Sequence, residues 1–301
     1  MCLKCRVCAA KGRGNDSIPT AIFSQILPFS NLVFRLFIEV STSTLIVGYN
    51  TVFVKGGKMN LLTISWESVG KNKGYLGDVM DKSQLVSFKD DYVTPGDYIN
   101  TWNMAEGDWG QVYYYVDQPS WDYQDEQTGE WVRYSDTWMD PDFVPVNPEM
   151  VSGSSFWLFH EGEDIEALSF AGQVTLSGTS YTLKGGKMNL CGNPYASLLN
   201  LADKNQVKIT GMTSFHDDYV TPGDYINTWD LTTADWGQVY YYVNQPSWDY
   251  QDEGSGEWVR YSDTWMDPDF VPSSTAIQAG AGFWYYAVEN DVTLAFEQLI
   301  K

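Results

Sequence analysis

The chain has 301 residues, with 39 Asp and Glu against 18 Lys and Arg, a formal net charge of -21 at pH 7. Its 16% aromatic and 44% hydrophobic content is enough to build a buried core and excludes a disordered chain. The charge argues against nucleic acid as a partner, because phosphates call for Lys and Arg, and against an anionic membrane surface for the same reason.

Residues 1–46 read as an N-terminal extension of unsettled status. "MCLKCRVCAAKGRGND" is basic and holds Cys2, Cys5 and Cys8, three of the four cysteines; only Cys191 lies in the body. That distribution predicts no disulfide scaffold. A C-x-x-C run with no second Cys or His pair nearby falls short of the four ligands that zinc needs. The apolar stretch that follows is interrupted by Arg35 and Glu39, which leaves its runs too short for a membrane span. No signal peptide is evident, since the order of basic start, apolar core and small-residue cleavage site is missing. Three readings stay open: an atypical export or anchoring segment, an extension outside the fold, or a first pair of strands, because "STSTLIVGYNTVFV" is rich in β-formers.

From residue 47 the chain says nearly everything twice. "KGGKMNL" occurs at 55–61 and 184–190, "DDYVTPGDYINTW" at 90–102 and 217–229, and "DWGQVYYYV" at 108–116 and 235–243. "PSWDYQDEQTGEWVRYSDTWMDPDFVP" at 119–145 returns at 246–272 with only its centre altered. The spacing is 129 residues for the first motif and 127 for the rest, which sets copy one at 47–172 and copy two at 173–301. No Pro-rich or charged linker joins them. Two arrangements fit: two beads on a short connection, which we favour from the sequence, or one sheet system built by both copies.

Alternation and β-branched or aromatic enrichment predict seven or eight short strands per copy. "QVTLSG", "TSYTLKGG", "QVKITGM" and "QVYYYV" read as strands, and "GFWYYAVENDVTLAFE" as two strands about an "END" turn. In "QVYYYV", Val239, Tyr241 and Val243 share one face and Tyr240 and Tyr242 the other. "EWVRYSDTW" is its expected partner, with Trp258, Arg260 and Ser262 on one face and Val259, Tyr261 and Asp263 on the other. Gly254 and Gly256 suit the turn between them. The glycines of "KGGKMNL" suit a sharp bend, and Lys55, Lys58, Lys184 and Lys187 are expected to pair with surplus Asp. "PYASLLNLADKNQ" is the best candidate for a short helix; its counterpart in copy one is weakened by Gly70, Gly74 and Gly77. The expected fold is all-β, as tandem duplicated β-sandwich or partly open β-barrel domains.

The duplicated aromatic and acidic stretch supplies the candidate ligand-binding residues. These are Trp121, Asp122, Tyr123, Trp131, Arg133, Tyr134 and Trp138, and then Trp248, Asp249, Tyr250, Trp258, Arg260, Tyr261 and Trp265. Exposed Trp and Tyr stack on apolar sugar faces while Asp and Arg bind hydroxyls. The competing reading is that the rings form cross-strand pairs and core. Exposure of Trp121 and Trp248, flanked by Pro, Ser and Asp, separates the two. Asp90, Asp91 and Asp97, with Asp217, Asp218 and Asp224, are a weaker candidate for calcium, because no EF-hand spacing is present and Asp beside Pro or Gly also forms turns. Asp140 and Asp142, with Asp267 and Asp269, add carboxylates of the same kind.

Nothing in the sequence marks an enzyme. There is no G-x-S-x-G, H-E-x-x-H, phosphate loop or dinucleotide fingerprint. His160 aligns with Ala287 and His216 with Lys89, so the copies share no histidine. Apart from calcium, no cofactor is expected.

The two copies open with "GKMNL" and close with "GSSFW" or "GAGFW" ahead of "AGQVTLSG" or "NDVTLAF". In this they resemble a loose group of secreted, repeat-bearing bacterial β proteins whose units begin with a G-x-N-L strand and end with G-x-G-F-W. The resemblance covers most of 47–301. It implies export and an extracellular or cell-surface role, and no reaction. The expected function is therefore a non-enzymatic surface module, or alternatively a carbohydrate-binding one, with glycans or another surface protein as partner.

Overall fold

The computed structural model describes residues 47–71, 73–89, 96–174, 178–216 and 222–297. The expectations for 1–46 lie outside them. Among the described residues the fold is antiparallel β throughout, apart from one four-residue helix and two short 3-10 turns, and no sheet closes on itself. The all-β expectation holds, and the open sheets match its sandwich form. No helix of the described residues is long and apolar enough to cross a membrane.

In copy one a six-stranded sheet runs Pro145–Val146, Thr137–Met139, Asp108–Val116, Tyr98–Asn103, Ser155–His160, Lys58–Thr63 from edge to edge. A three-stranded sheet of Val47–Val54, Ile165–Val174 and Trp66–Glu67 supplies the second layer. Period-two alternation decides which side chains meet between the layers. "SFWLFH" sends Phe156 and Leu158 into the core beside Leu62 and Ile99, against Val52, Val54, Leu168 and Phe170 of the smaller sheet. Copy two repeats this with Lys187–Gly192, Gly282–Ala287, Tyr225–Asp230, Asp235–Val243 and Thr264–Met266 under Thr179–Leu183, Val292–Phe296 and Val207–Thr210. Tyr242 of "QVYYYV" is buried and Tyr240 packs on the core, while Tyr241 faces the other way, onto Phe215, Tyr225 and Phe270. The expected alternation is therefore present. Gly57 and Gly186 take positive φ in the "KGG" bends, and Lys55 and Lys184 pair with Asp164 and Asp291 at 2.6 and 3.6 Å.

Every sheet draws its strands from a single copy, yet the buried residues of both copies form one continuous cluster. At its tryptophans and lysines the contact between copies is isologous: what residue i of one copy does to j of the other, i of the other does to j of the first. Trp157 packs edge-on against Trp229 at 4.8 Å, and Trp284, its equivalent 127 residues on, packs edge-on against Trp102 at 5.0 Å. Lys58 Nζ donates to Thr233 O and Lys187 Nζ to Glu106 O. Leu61 and Leu190, equivalent residues, meet in the small cluster between the tryptophans.

At the centre the symmetry is broken. Thr63 Oγ1 lies 2.6 Å from Ser155 Oγ, which itself donates to Cys191 O at 2.6 Å. The copy-two equivalents of Thr63 and Ser155 are Gly192 and Gly282. A Cβ on Gly192 would stand 2.0 Å from Thr63 Oγ1. The hydroxyls of one copy fill the space that the glycines of the other leave empty.

Three expectations need correction. "PYASLLNLADKNQ" makes turns and the strand Leu199–Asn200, with no helix. The Asn193 side chain accepts from Tyr195 N and donates to Ser197, Ile277 and Gln278 carbonyls, a local network that competes with a first helical turn. The one helix, Leu76–Val79, falls instead in the glycine-rich counterpart, where Asn147 Oδ1 accepts from Gly77 N and Leu76 and Val79 are buried. "QVTLSG" begins as the tail of copy one, because Gln173 and Val174 pair with Glu67 and Trp66. Finally, "EWVRYSDTW" does not pair as a whole with "QVYYYV". Its Thr264–Met266 end does, with Tyr242 opposite Trp265, while Trp258–Val259 forms a separate hairpin with Tyr250–Gln251. The Asp249 carboxylate takes the Tyr261 and Ser262 amides, and Asp263 has φ of 47°, so the strand breaks there.

Candidate functional site

The duplicated stretch folds into a projecting hairpin in each copy. After the long central strand the chain makes a 3-10 turn, Pro119–Trp121 or Pro246–Trp248, and then the two short strands of the hairpin. At its tip Asp125 Oδ1 accepts from Gln127 N, Thr128 N and Thr128 Oγ1, and Gly129 takes φ of 71°. Asp252 does the same with Gly254 N, Ser255 N and Ser255 Oγ. "QT" and "GS" interchange because each offers two amides and one hydroxyl to the same carboxylate. These donors hold both carboxyls below the usual carboxylate range, the Thr128 or Ser255 amide foremost.

Asp122 and Asp249 act as clamps at the hairpin base. Asp122 Oδ1 accepts from the Tyr134 and Ser135 amides, and Oδ2 from Ser135 Oγ at 2.8 Å and Arg133 at 3.2 Å. Asp249 repeats every bond with Tyr261, Ser262 and Arg260. Both pKa values are lowered, chiefly by the Tyr134 amide for Asp122 and the Ser262 hydroxyl for Asp249. The guanidinium of Arg133 lies over the Trp131 ring at 4.9 Å, and that of Arg260 over Trp258 at 4.8 Å. Tyr134 and Tyr261 act as hubs: Trp121 or Trp248 meets them edge-on at 6.1 Å, and Tyr123 or Tyr250 stacks on them at 27°.

The result is an exposed aromatic face on each copy. Trp131 and Trp258 are both 54% exposed, Tyr123 and Tyr250 49%, and Trp121 and Trp248 39%. In copy two, Tyr250, Trp258, Arg260 and Tyr261 line a shallow groove of about 550 Å³ together with Phe270, Val271 and Pro272. Phe270 continues the surface, since it stacks on Tyr241 at 3° between planes. Copy one has the same residue at each of these positions, with Phe143 stacked on Tyr114 at 2°.

The structure divides the sequence candidates. Tyr123, Trp131, Arg133 and Tyr134 and their copy-two equivalents stand together. Trp121 and Trp248 are exposed as expected, but Trp248 is not among the groove residues. Asp122 and Asp249 have their oxygens engaged by the hairpin. Trp138 and Trp265 are core, 1% and 3% exposed, because their strand is the part that joins the main sheet. Sequence reasoning missed Phe143 and Phe270, and read "MDPDF" for its carboxylates alone. Asp140 and Asp267 in fact accept two amides each to form a tight turn, which sets the Phe at a φ of 59° or 58°.

Of the calcium candidates, Asp90, Asp91, Asp217 and Asp218 lie outside the described residues. Asp97 and Asp224 are fully buried. Asp97 accepts from the Val86 and Glu161 amides and faces the ring of His160; Asp224 accepts from Tyr285 Oη and Val288 N. Among the described residues no three His, Cys, Asp or Glu side chains gather as a metal site.

Comparison with protein-family models, with curated proteins and with solved structures finds no match.

Proposed function

We propose that this chain is a non-enzymatic module that binds carbohydrate through two equivalent aromatic grooves, one on each copy. The observation that supports this most is the set of exposed rings, Trp258 and Tyr250, held beside Arg260 by the Asp249 clamp. A sugar ring offers an apolar C–H face to an aromatic ring and hydroxyls to nearby donors, and such a groove meets both needs. Holding the rings in place before binding lowers the entropy lost when ligand arrives. Two weak sites on one polysaccharide gain by avidity. An extracellular or cell-surface setting fits such a ligand, and rests on the resemblance of the "GKMNL" and "GAGFW" motifs to those of secreted proteins.

A glycan array tests the reading. Binding is expected for the native chain and is lost when Trp131→Ala and Trp258→Ala are combined, with thermal stability retained because both rings are exposed. If no glycan binds, the carbohydrate reading falls and the chain is left as a structural surface module.

A further inference from the structure

We propose that the ligands of the two grooves are neutral sugars, and that the hairpins turn away sugars carrying carboxylate or sulfate groups. This rests on the carbohydrate reading and narrows it. Arg260 is the one cation among the groove residues, and its charge is already matched: its guanidinium is 3.3 Å from Asp249 Oδ2, and that carboxylate is largely shielded from solvent by its own hydrogen bonds. What Arg260 offers a ligand is therefore a flat donor edge beside Trp258, without net positive charge.

The rest of the hairpin is acidic. Asp252, Glu253 and Glu257 all lie between Tyr250 and Trp258, and both glutamates are exposed. Asp267 and Asp269 precede Phe270, another of the lining residues, in sequence. Copy one has the same charges as Asp125, Glu126, Glu130, Asp140 and Asp142, although its hairpin tip differs. A carboxylate or sulfate ester entering either groove meets a paired arginine on a hairpin that carries exposed glutamates, on a chain of net charge -21. A neutral ring meets only stacking surfaces and donors.

Equilibrium binding with four probes decides the matter: neutral gluco- and manno-oligosaccharides, oligogalacturonate, and a sulfated oligosaccharide. Each is titrated at about 0.01 M and about 1 M salt, where the Debye length is about 30 and about 3 Å. The expected result is binding of at least one neutral probe, lost in the Trp131→Ala, Trp258→Ala protein, with a Kd that changes less than about threefold between the two salts. The acidic probes are expected not to bind at low salt. Acidic-probe binding at low salt that matches or exceeds the neutral probes, and that Arg133→Gln with Arg260→Gln abolishes, overturns the charge argument and leaves the carbohydrate reading standing. Failure of all four probes at both salts, with a wider glycan array also blank, overturns the reading on which it rests.

Discussion

His160 Nδ1 lies 2.7 Å from Asp97 Oδ2, and both side chains are buried. The other ring nitrogen, Nε2, lies 2.8 Å from the Glu163 carbonyl. Both nitrogens face acceptors, so the surroundings favour the doubly protonated ring, an imidazolium beside the Asp97 side chain. Burial is the largest single influence on the ring and would lower its pKa. The Asp97 hydrogen bond and charge, with the Glu163 carbonyl, outweigh burial and leave the pKa above the usual 6.5. In copy two the histidine is Ala287, and the equivalent carboxylate, Asp224, instead accepts from Tyr285 Oη at 2.9 Å. One buried carboxylate thus has two solutions in one chain.

A raised folded-state pKa means that the stability from His160 is complete below pH 6.5 and is lost as pH rises through the folded value. Urea denaturation should therefore give a falling free energy on the alkaline side of 6.5. His160→Ala leaves Asp97 buried without its counter-ion and should cost about 3–5 kcal/mol at pH 6. Leu158 stands where copy two has Tyr285. Adding Leu158→Tyr to His160→Ala transplants the copy-two solution and should recover part of the loss. No recovery in the double variant would count against the equivalence of the two arrangements.

Asp224 has a raised pKa, chiefly because burial penalises its charged form. Its contribution is complete below the usual 3.8 and is lost as pH rises through the raised folded value, so ionisation of Asp224 costs the fold stability. Asp224→Asn removes that charge, keeps an acceptor for the Val288 amide, and turns its own amide nitrogen toward Tyr285 Oη, which can accept. Asp97→Asn removes the partner of an imidazolium. Measured at pH 7, Asp224→Asn should be the milder change by about 1–2 kcal/mol. Equal losses would contradict the assignment of a counter-ion to one copy only.

The tryptophan exchange joins the two copies through a shared buried interface. Trp157→Ala removes a ring that is 8% exposed and packed on Trp229 of the other copy, and should cost about 3–5 kcal/mol. A double-mutant cycle on Trp157 and Trp229 should give a coupling of about 0.5–1.5 kcal/mol. Calorimetry of the native chain should show one transition, because the buried cluster runs through both copies. Two separated transitions would mean that the copies unfold independently.

The centre of the interface makes an asymmetric prediction. Gly192→Ala drives a methyl into Thr63 and Ser155 and should destabilise by about 1–3 kcal/mol. Adding Thr63→Ala and Ser155→Ala vacates the space and should reduce that penalty when the losses are compared on the same Thr63→Ala, Ser155→Ala background. A penalty that is unchanged there would show that the clash is not with these hydroxyls.

Part of the geometry of the candidate groove is legible in the sequence. Trp258 and Arg260 were expected on one face, and the guanidinium lies over that ring. Trp265 was expected among the ligand-binding residues and is core, because residue type alone does not say where a strand leaves its hairpin and joins the main sheet. The break is made by Asp249, whose partners, at Tyr261 and Ser262, are 12 and 13 residues away. Phe270 joins the groove through a turn made by Asp267, and no periodic pattern marks it.

By itself the sequence determined the duplication, the β character and the alternation along "QVYYYV", since these follow from local spacing and the two-residue period of an extended chain. Only the tertiary structure decided how the copies meet. Trp157 and Trp229, or Thr63 and Gly192, are far apart in sequence and follow no shared period, so no local pattern marks them as partners. They are partners because two sheets with outward-facing tryptophans bury them most completely against each other, and because a hydroxyl pair on one side fits where the other side has glycine.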